Sequence, residues 1–142
     1  MSRIRIDLPE QFSFSTSIPV RITDVNYGNH VGNDAVLSII HEARMQYLNS
    51  FGYSELQFAG VGMIMKDVGI EFKNELFYGD IVIAAVTSTG FTKLGFDLYY
   101  KLEKDLAGER KTVAIAKTGM ICYDYARKKI VAVPQEAIDK LT

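Results

Sequence analysis

Asn33–Gly52 reads N-D-A-V-L-S-I-I-H-E-A-R-M-Q-Y-L-N-S-F-G, and its periodicity decides the fold. Val36, Ile40, Ala43, Tyr47 and Phe51 recur at spacings of 4, 3, 4 and 4, so they share one helical face. Leu37 and Leu48 widen one flank of that face and Ile39 the other. A stripe this broad is wide enough to be wrapped by a sheet. Asn33 or Asp34 is placed to act as N-cap or first-turn acid, and Gly52 to end the helix at C′. The expectation is one helix over 33–51, about five turns at ~3.6 residues per turn.

Outward from this helix the chain reads as strand. Phe12–Thr23 (FSFSTSIPVRIT) alternates, and Pro19 within it suggests an edge position or a strand start. Downstream, Gly62–Leu76, Gly79–Phe91, Lys93–Lys104 and Lys111–Tyr125 each read as long strands. Leu106–Arg110 (LAGER) has turn chemistry, ARKK turns into IVAVP, and Pro134 stands at an N1-like position of a short terminal helix. Consecutive strands on short turns are antiparallel. The simplest α+β solution is one sheet with the long helix buried against its concave face.

The 142 residues suggest one domain with a sizeable core, and 48% hydrophobic with 23% charged is an ordinary globular balance. Sixteen basic against seventeen acidic side chains give no basic field, so no nucleic-acid partner is expected. The single Cys122 cannot pair internally, and it reads as a small buried hydrophobe. No C-x-x-C or H-x-x-x-H spacing suggests a metal site. Lack of disulfides fits a reducing cytoplasm. The first residues, SRIRIDLPEQ, carry no apolar segment of a secretory signal, and no apolar run approaches a membrane span.

Just before the helix, Asp24–Asp34 (DVNYGNHVGND) gathers three Asn, two Asp, a His and two Gly. This loop, with H-E-A-R (His41–Arg44) and F-Y-G-D (Phe77–Asp80), resembles the D-x-D-x-x-x-H-V-N-N, E-x-A-R and Y-G-D signatures of the 4-hydroxybenzoyl-CoA and long-chain acyl-CoA thioesterase branch. The likeness runs from about Phe14 to Val133 and implies a hotdog fold, one long central helix wrapped by an antiparallel sheet of about five to six strands. It further implies hydrolysis of an acyl-CoA thioester, with CoA as part of the substrate and no separate cofactor. A homodimer or homotetramer is implied too, the acyl group entering at a subunit interface. Two positions depart from the signature. Asn26 stands where the family often has a catalytic Asp, and Gly32 stands in the first of the two Asn positions. Plant-type acyl-carrier-protein thioesterases resemble this chain in pairing an Asn with a nearby His.

Thioester hydrolysis needs donors aimed at the developing oxyanion and a group that takes a proton from water. A helix N-terminus offers free backbone N–H groups and a positive dipole end. The N–H of Asn33, with that of Asp34, is the expected oxyanion hole, and Gly32 allows close approach of substrate; the plainer reading is a tight helix cap. Asn26 holds the water or the carbonyl, or else makes an Asx-turn. His30 suits base chemistry near neutrality, or anchors the loop. Glu42, off the apolar stripe, is a catalytic carboxylate or a solvated face. Asp24 orients the loop or His30. Asp67 in its strand is a reserve acid or base at a subunit interface. Arg44 reads as structural, snorkelling or pairing with a strand carboxylate. Met63, Met65 and Phe72 line an acyl tunnel or fill the core. Lys93, Arg127, Lys128 and Lys129 meet the CoA phosphates or are solvated turns. A hotdog enoyl-CoA hydratase and a non-catalytic acyl-CoA binding module are the alternatives; the former lacks its Pro after Asn26.

Overall fold

A computed structural model describes residues 1–142. Strand β1 (Phe14–Pro19) leads through a 3-10 turn (Ile22–Asp24) and the polar loop into α1 (Asn33–Asn49). Then follow β2 (Gly62–Phe72), β3 (Ile81–Thr89), β4 (Gly95–Leu106), β5 (Glu109–Asp124), the short β6 (Lys129–Ile130) and α2 (Gln135–Leu141). The sheet order is β1-β3-β4-β5-β2, antiparallel at every pairing, with β6 on β5. This is the hotdog architecture: a six-stranded sheet around one long helix.

The helix face read from the sequence is the buried one. Ile40, Ala43, Tyr47 and Leu48 are fully enclosed. They meet the even-numbered side chains of the sheet, Val82, Ala84 and Val86 on β3, Leu98, Tyr100 and Leu102 on β4, Ala114 and Ala116 on β5. Alternation along a strand puts these on one surface. The alanines leave room for the helix to seat closely, since interiors pack without voids.

Several boundaries differ from expectation. Gly32 is the N-cap, not Asn33 or Asp34, and no side chain caps the helix start. The helix ends at Asn49, and Gly52, with φ of +80°, turns the chain away two residues after the Ser50 cap. The first strand is shorter than the run Phe12–Thr23, because residues 22–24 curl into the 3-10 turn. Pro19 ends an edge strand, where its missing N–H costs no ladder bond. Pro134 caps α2 rather than opening it. Between β4 and β5, Ala107 and Gly108 both have positive φ, the tight two-residue hairpin that the LAGER segment suggested.

β4 and β5 approach closely at Gly95. A Cβ there would collide with the Met120 carbonyl oxygen. Gly95→Ala must therefore push backbone against backbone, and we expect it to cost about 3 kcal/mol or more, at the upper end of overpacking penalties. Urea denaturation of the variant against wild type measures this.

Candidate active site

Val25 and Val31 form an isolated antiparallel bridge, and the loop between them closes with the Asn26 N–H donating to the His30 carbonyl at 3.0 Å. Asn29 adopts φ of +63°, a conformation Asn tolerates better than most residues. Inside this loop the Asn26 Oδ1 accepts the Gly28 N–H at 2.9 Å, an Asx-turn. Its carbonyl is thus used and its Nδ2 remains free to donate. The His30 ring lies over Gly28, where an added Cβ would sit 2.8 Å from Nε2. The Asn26 Nδ2 faces Gly32, 3.5 Å from where a Cβ would be. The same point lies 2.8 Å from the Asp34 Oδ1, so Gly32 sits between the two side chains.

Val36 is the first residue of α1 whose N–H finds a helical carbonyl, that of Gly32 at 3.1 Å. The N–H groups of Asn33, Asp34 and Ala35 precede it and have no intrahelical acceptor, as the geometry of any helix start requires. Asp34 sits in the first turn, where an acid complements the dipole. Across from this tip runs the β2–β3 connection. The Leu76 carbonyl accepts the Val31 N–H at 2.8 Å, and the N–H groups of Lys73 and Asn74 donate to the Val113 carbonyl. Between the two walls lies a cleft of about 430 Å3 lined by Asn26, His30, Gly32 and Asn33 on one side and Phe72, Lys73, Asn74 and Glu75 on the other.

The structure thus brings Asn26, His30, Gly32 and Asn33 together, keeps the Asp34 carboxylate beside Gly32, and separates Asp24, Glu42 and Asp67 from them. Asp24 is buried; its Oδ2 accepts the Arg21 N–H at 2.8 Å and so anchors the turn ahead of the loop. Glu42 accepts the Gln46 amide at 2.9 Å and lines, with Asp24, a different groove between α1 and the end of β1. Asp67 lies on the outer face of the sheet, accepting from Lys117 at 2.9 Å and from the Gly119 N–H at 3.0 Å. None of the three lines the cleft at the helix tip.

Lys117 holds the Asp67 carboxyl below its ordinary pKa, chiefly by its hydrogen bond, with the Gly119 N–H adding to it. Asp67 in turn raises Lys117. A carboxylate whose folded pKa is depressed stabilises above the unfolded value of ~3.9 and loses that stabilisation as pH falls through the folded value. Because Asp67 is more than half exposed, the effect is screened. Asp67→Asn should cost less than ~1 kcal/mol at neutral pH and nothing in strong acid, read from denaturant midpoints at both pH values.

Arg44 is buried, so it does not snorkel to solvent, and its partner is not a strand carboxylate. It donates to the Tyr100 hydroxyl at 3.2 Å, and its Nε lies 3.8 Å from Glu55 in the α1–β2 connection. That Glu55 also meets His41 at 2.7 Å, so His41 and Arg44 brace the connection from one helix turn. Asp80 of the F-Y-G-D motif is a clamp as well. Its Oδ2 accepts the Phe77 N–H and the buried Lys104 ammonium, and its carbonyl accepts the Val20 N–H. Cys122 is buried, and burial pushes its thiol up to about 11, which leaves no thiolate to act as nucleophile. Met63 is core, whereas Met65 and Phe72 are exposed on the inner surface of the edge strand β2. Lys93 and Arg127–Lys129 stand at the opposite end of the sheet from the helix tip. Lys73 and Glu75 lie in the cleft and escaped sequence reading; the only local signal was their position just ahead of F-Y-G-D.

The sequence model of the thioesterase-like superfamily matches residues 20–141. This chain belongs to that superfamily. Its fold is shared by 4-hydroxybenzoyl-CoA thioesterase from Pseudomonas sp. strain CBS-3, at 14% identity and a TM-score of 0.80 over 92% of this chain and 99% of that one. A 1,4-dihydroxy-2-naphthoyl-CoA thioesterase from Synechocystis is 20% identical, with a TM-score of 0.79 over 90% and 94%. A thioesterase-superfamily protein from Jannaschia sp. CCS1 gives 14% and 0.81 over 94% and 83%. Among curated proteins, none matches.

Proposed function

We propose that this thioesterase-like protein hydrolyses acyl-CoA thioesters to free acid and CoA, with the reacting carbonyl seated at the N-terminus of α1. One observation carries the reading. Free helical N–H groups, an amide donor and an imidazole converge on a single cleft rather than on scattered surfaces. In the proposed complex the N–H groups of Asn33 and Asp34 receive the oxyanion, where preorganised donors are worth most. Asn26 donates from Nδ2 to the carbonyl or to the attacking water. His30 lies beside the same spot. Gly32 lets the thioester approach the backbone.

The second half of the proposal is the assembly. β2 is an edge strand, and its inner surface leaves Met65, Val68 and Phe72 exposed. Such an edge is a template for pairing. Two β2 edges joined antiparallel about a two-fold axis set the Gly62 end of one against the Phe72 end of the other. The second copy then closes the open side of the cleft and excludes water. No helix is long and apolar enough to cross a membrane, and the single buried thiol fits the reducing cytoplasm proposed as its location.

The test is thiol release, followed with Ellman's reagent, over a panel of aliphatic and aromatic acyl-CoA substrates. Thiol release with a defined chain preference supports the reading. Loss of enoyl absorbance without thiol release would make it a hydratase. Tight acyl-CoA binding with no turnover would make it a binding module, the reading that the amide at Asn26 favours.

A further inference from the structure

Hydrolysis at this cleft requires a base, and Asn26 cannot be one because an amide takes no proton near neutral pH. We propose that Glu75 is the general base. The inference rests on the thioesterase reading above and deepens it.

Glu75 is the only carboxylate among the residues lining the cleft that holds Asn26, His30 and the helix tip. The neighbouring carboxylates are placed differently: Asp24 accepts the Arg21 N–H, Glu42 accepts from Gln46 in a separate groove, Asp67 accepts from Lys117 on the outer face, and Asp34, whose Oδ1 lies beside Gly32, is not among the residues lining the cleft. The Glu75 carboxylate makes no hydrogen bond or ion pair, so its lone pairs are free for a water.

Its backbone is nonetheless fixed. The carbonyl of Glu75 accepts the buried Lys104 ammonium at 2.7 Å, and Lys104 is itself held by Asp80 at 3.0 Å. On one side, the Asn74 amide donates to the Thr112 carbonyl at 2.6 Å; on the other, Leu76 is buried. A free carboxylate on a clamped backbone is what positioning for proton transfer asks for.

His30 is the competitor, and its surroundings argue against it. A histidine that acts as base is held in one tautomer by a partner on its second nitrogen. No hydrogen bond from any residue fixes the His30 ring, which rests on the backbone of Gly28. His30 is left to hold the water or the sulfur.

The step balances as follows. The water oxygen attacks the thioester carbon while one of its protons passes to the Glu75 carboxylate. The carbonyl π pair moves to the oxygen facing the Asn33 and Asp34 N–H groups. When the tetrahedral species collapses, the C–S bond breaks, its electron pair leaves on the CoA sulfur, and the proton on Glu75 is returned to that sulfur. Free acid and CoA thiol are the products, and Glu75 is regenerated.

The experiment compares wild type, Glu75→Gln and Glu75→Ala on the best acyl-CoA of the panel. Expected are a 10²–10⁴-fold fall in kcat for Glu75→Gln, the range a proton-transfer group contributes, with KM and melting temperature little changed. Added formate should restore turnover to Glu75→Ala, because a small carboxylate can occupy the space the side chain vacates. A fall of less than about tenfold in Glu75→Gln overturns the assignment. So does a large fall that formate does not relieve, since the side chain would then serve the structure or another residue. If wild type releases no thiol from any acyl-CoA, it is the thioesterase reading that fails instead.

Discussion

Asn26→Ala is expected to lower kcat about 100- to 1000-fold, the loss seen when a single oxyanion donor is removed. The side chain has two jobs that the structure divides between its atoms. Oδ1 holds the Gly28 N–H at 2.9 Å and so shapes the loop; Nδ2 is free and faces the opening over Gly32. Loss of the exposed Asx-turn bond should cost only ~1 kcal/mol of stability. Turnover should therefore fall far more than melting temperature. Asn26→Ser separates the two jobs, because a hydroxyl can still accept the Gly28 N–H but is too short to donate where Nδ2 does. If Ser restored most of the activity while Ala did not, the residue would be a turn-former only. A variant that is active but markedly less stable would give the same answer. The prediction also bears on the departure from the family signature: an Asp there could take a proton, whereas the Asn26 amide cannot and offers only hydrogen bonds.

The largest effect on stability is expected at Tyr47. Its ring is fully buried, edge-on to Phe14 at 5.7 Å and to Phe51 at 5.1 Å, and its hydroxyl meets the Ser88 hydroxyl at 2.8 Å. One side chain thus ties α1 to β1 and to the end of β3. Truncation to Ala opens a cavity that the long helix cannot collapse to fill, at about 3–5 kcal/mol. Against a total of about 5–15 kcal/mol that is a large share of the fold's stability. The melting point should drop by about 10–20 °C, at a few degrees per kcal/mol for a domain of this size. Tyr47→Phe keeps the ring and loses only the hydrogen bond, so it should cost about 1 kcal/mol. A Phe variant as unstable as the Ala variant would mean that the hydroxyl, not the ring, holds the helix down.

The positions of the two segments that meet at the cleft show how far sequence carries. The Asn26–His30 loop and the helix tip are neighbours in the chain, so local rules place them together: Gly and Asn make the turn, and the helix starts where the apolar period starts. Glu75 is more than forty residues away, and no periodicity connects it to that loop. Only the pairing of Val31 with Leu76 across the cleft brings it there. The separation of Glu42 from the cleft is likewise invisible in one dimension. A helical residue off the apolar stripe can point to either flank, and which flank faces the site depends on how the sheet wraps the helix.

Asp67 is the clearest instance. With Met63 and Met65 facing inward, simple alternation puts residue 67 inward as well, toward a site. The register shifts between Met65 and Asp67, a bulge that inserts one residue and exchanges the faces from there on. Val68, Ile70 and Phe72 therefore take the inner surface, and Asp67 is turned outward to Lys117.

The sequence by itself determined the elements and their order, the buried face of the helix, and the polar loop at its tip. These depend on interactions among residues a few positions apart, which periodicity records. Which side chains share the cleft, which carboxylate is free within it, and which face Asp67 presents were decided by the tertiary structure. Each depends on sheet register and on the seat of the helix, and those are set by the packing of the whole core rather than by any local stretch.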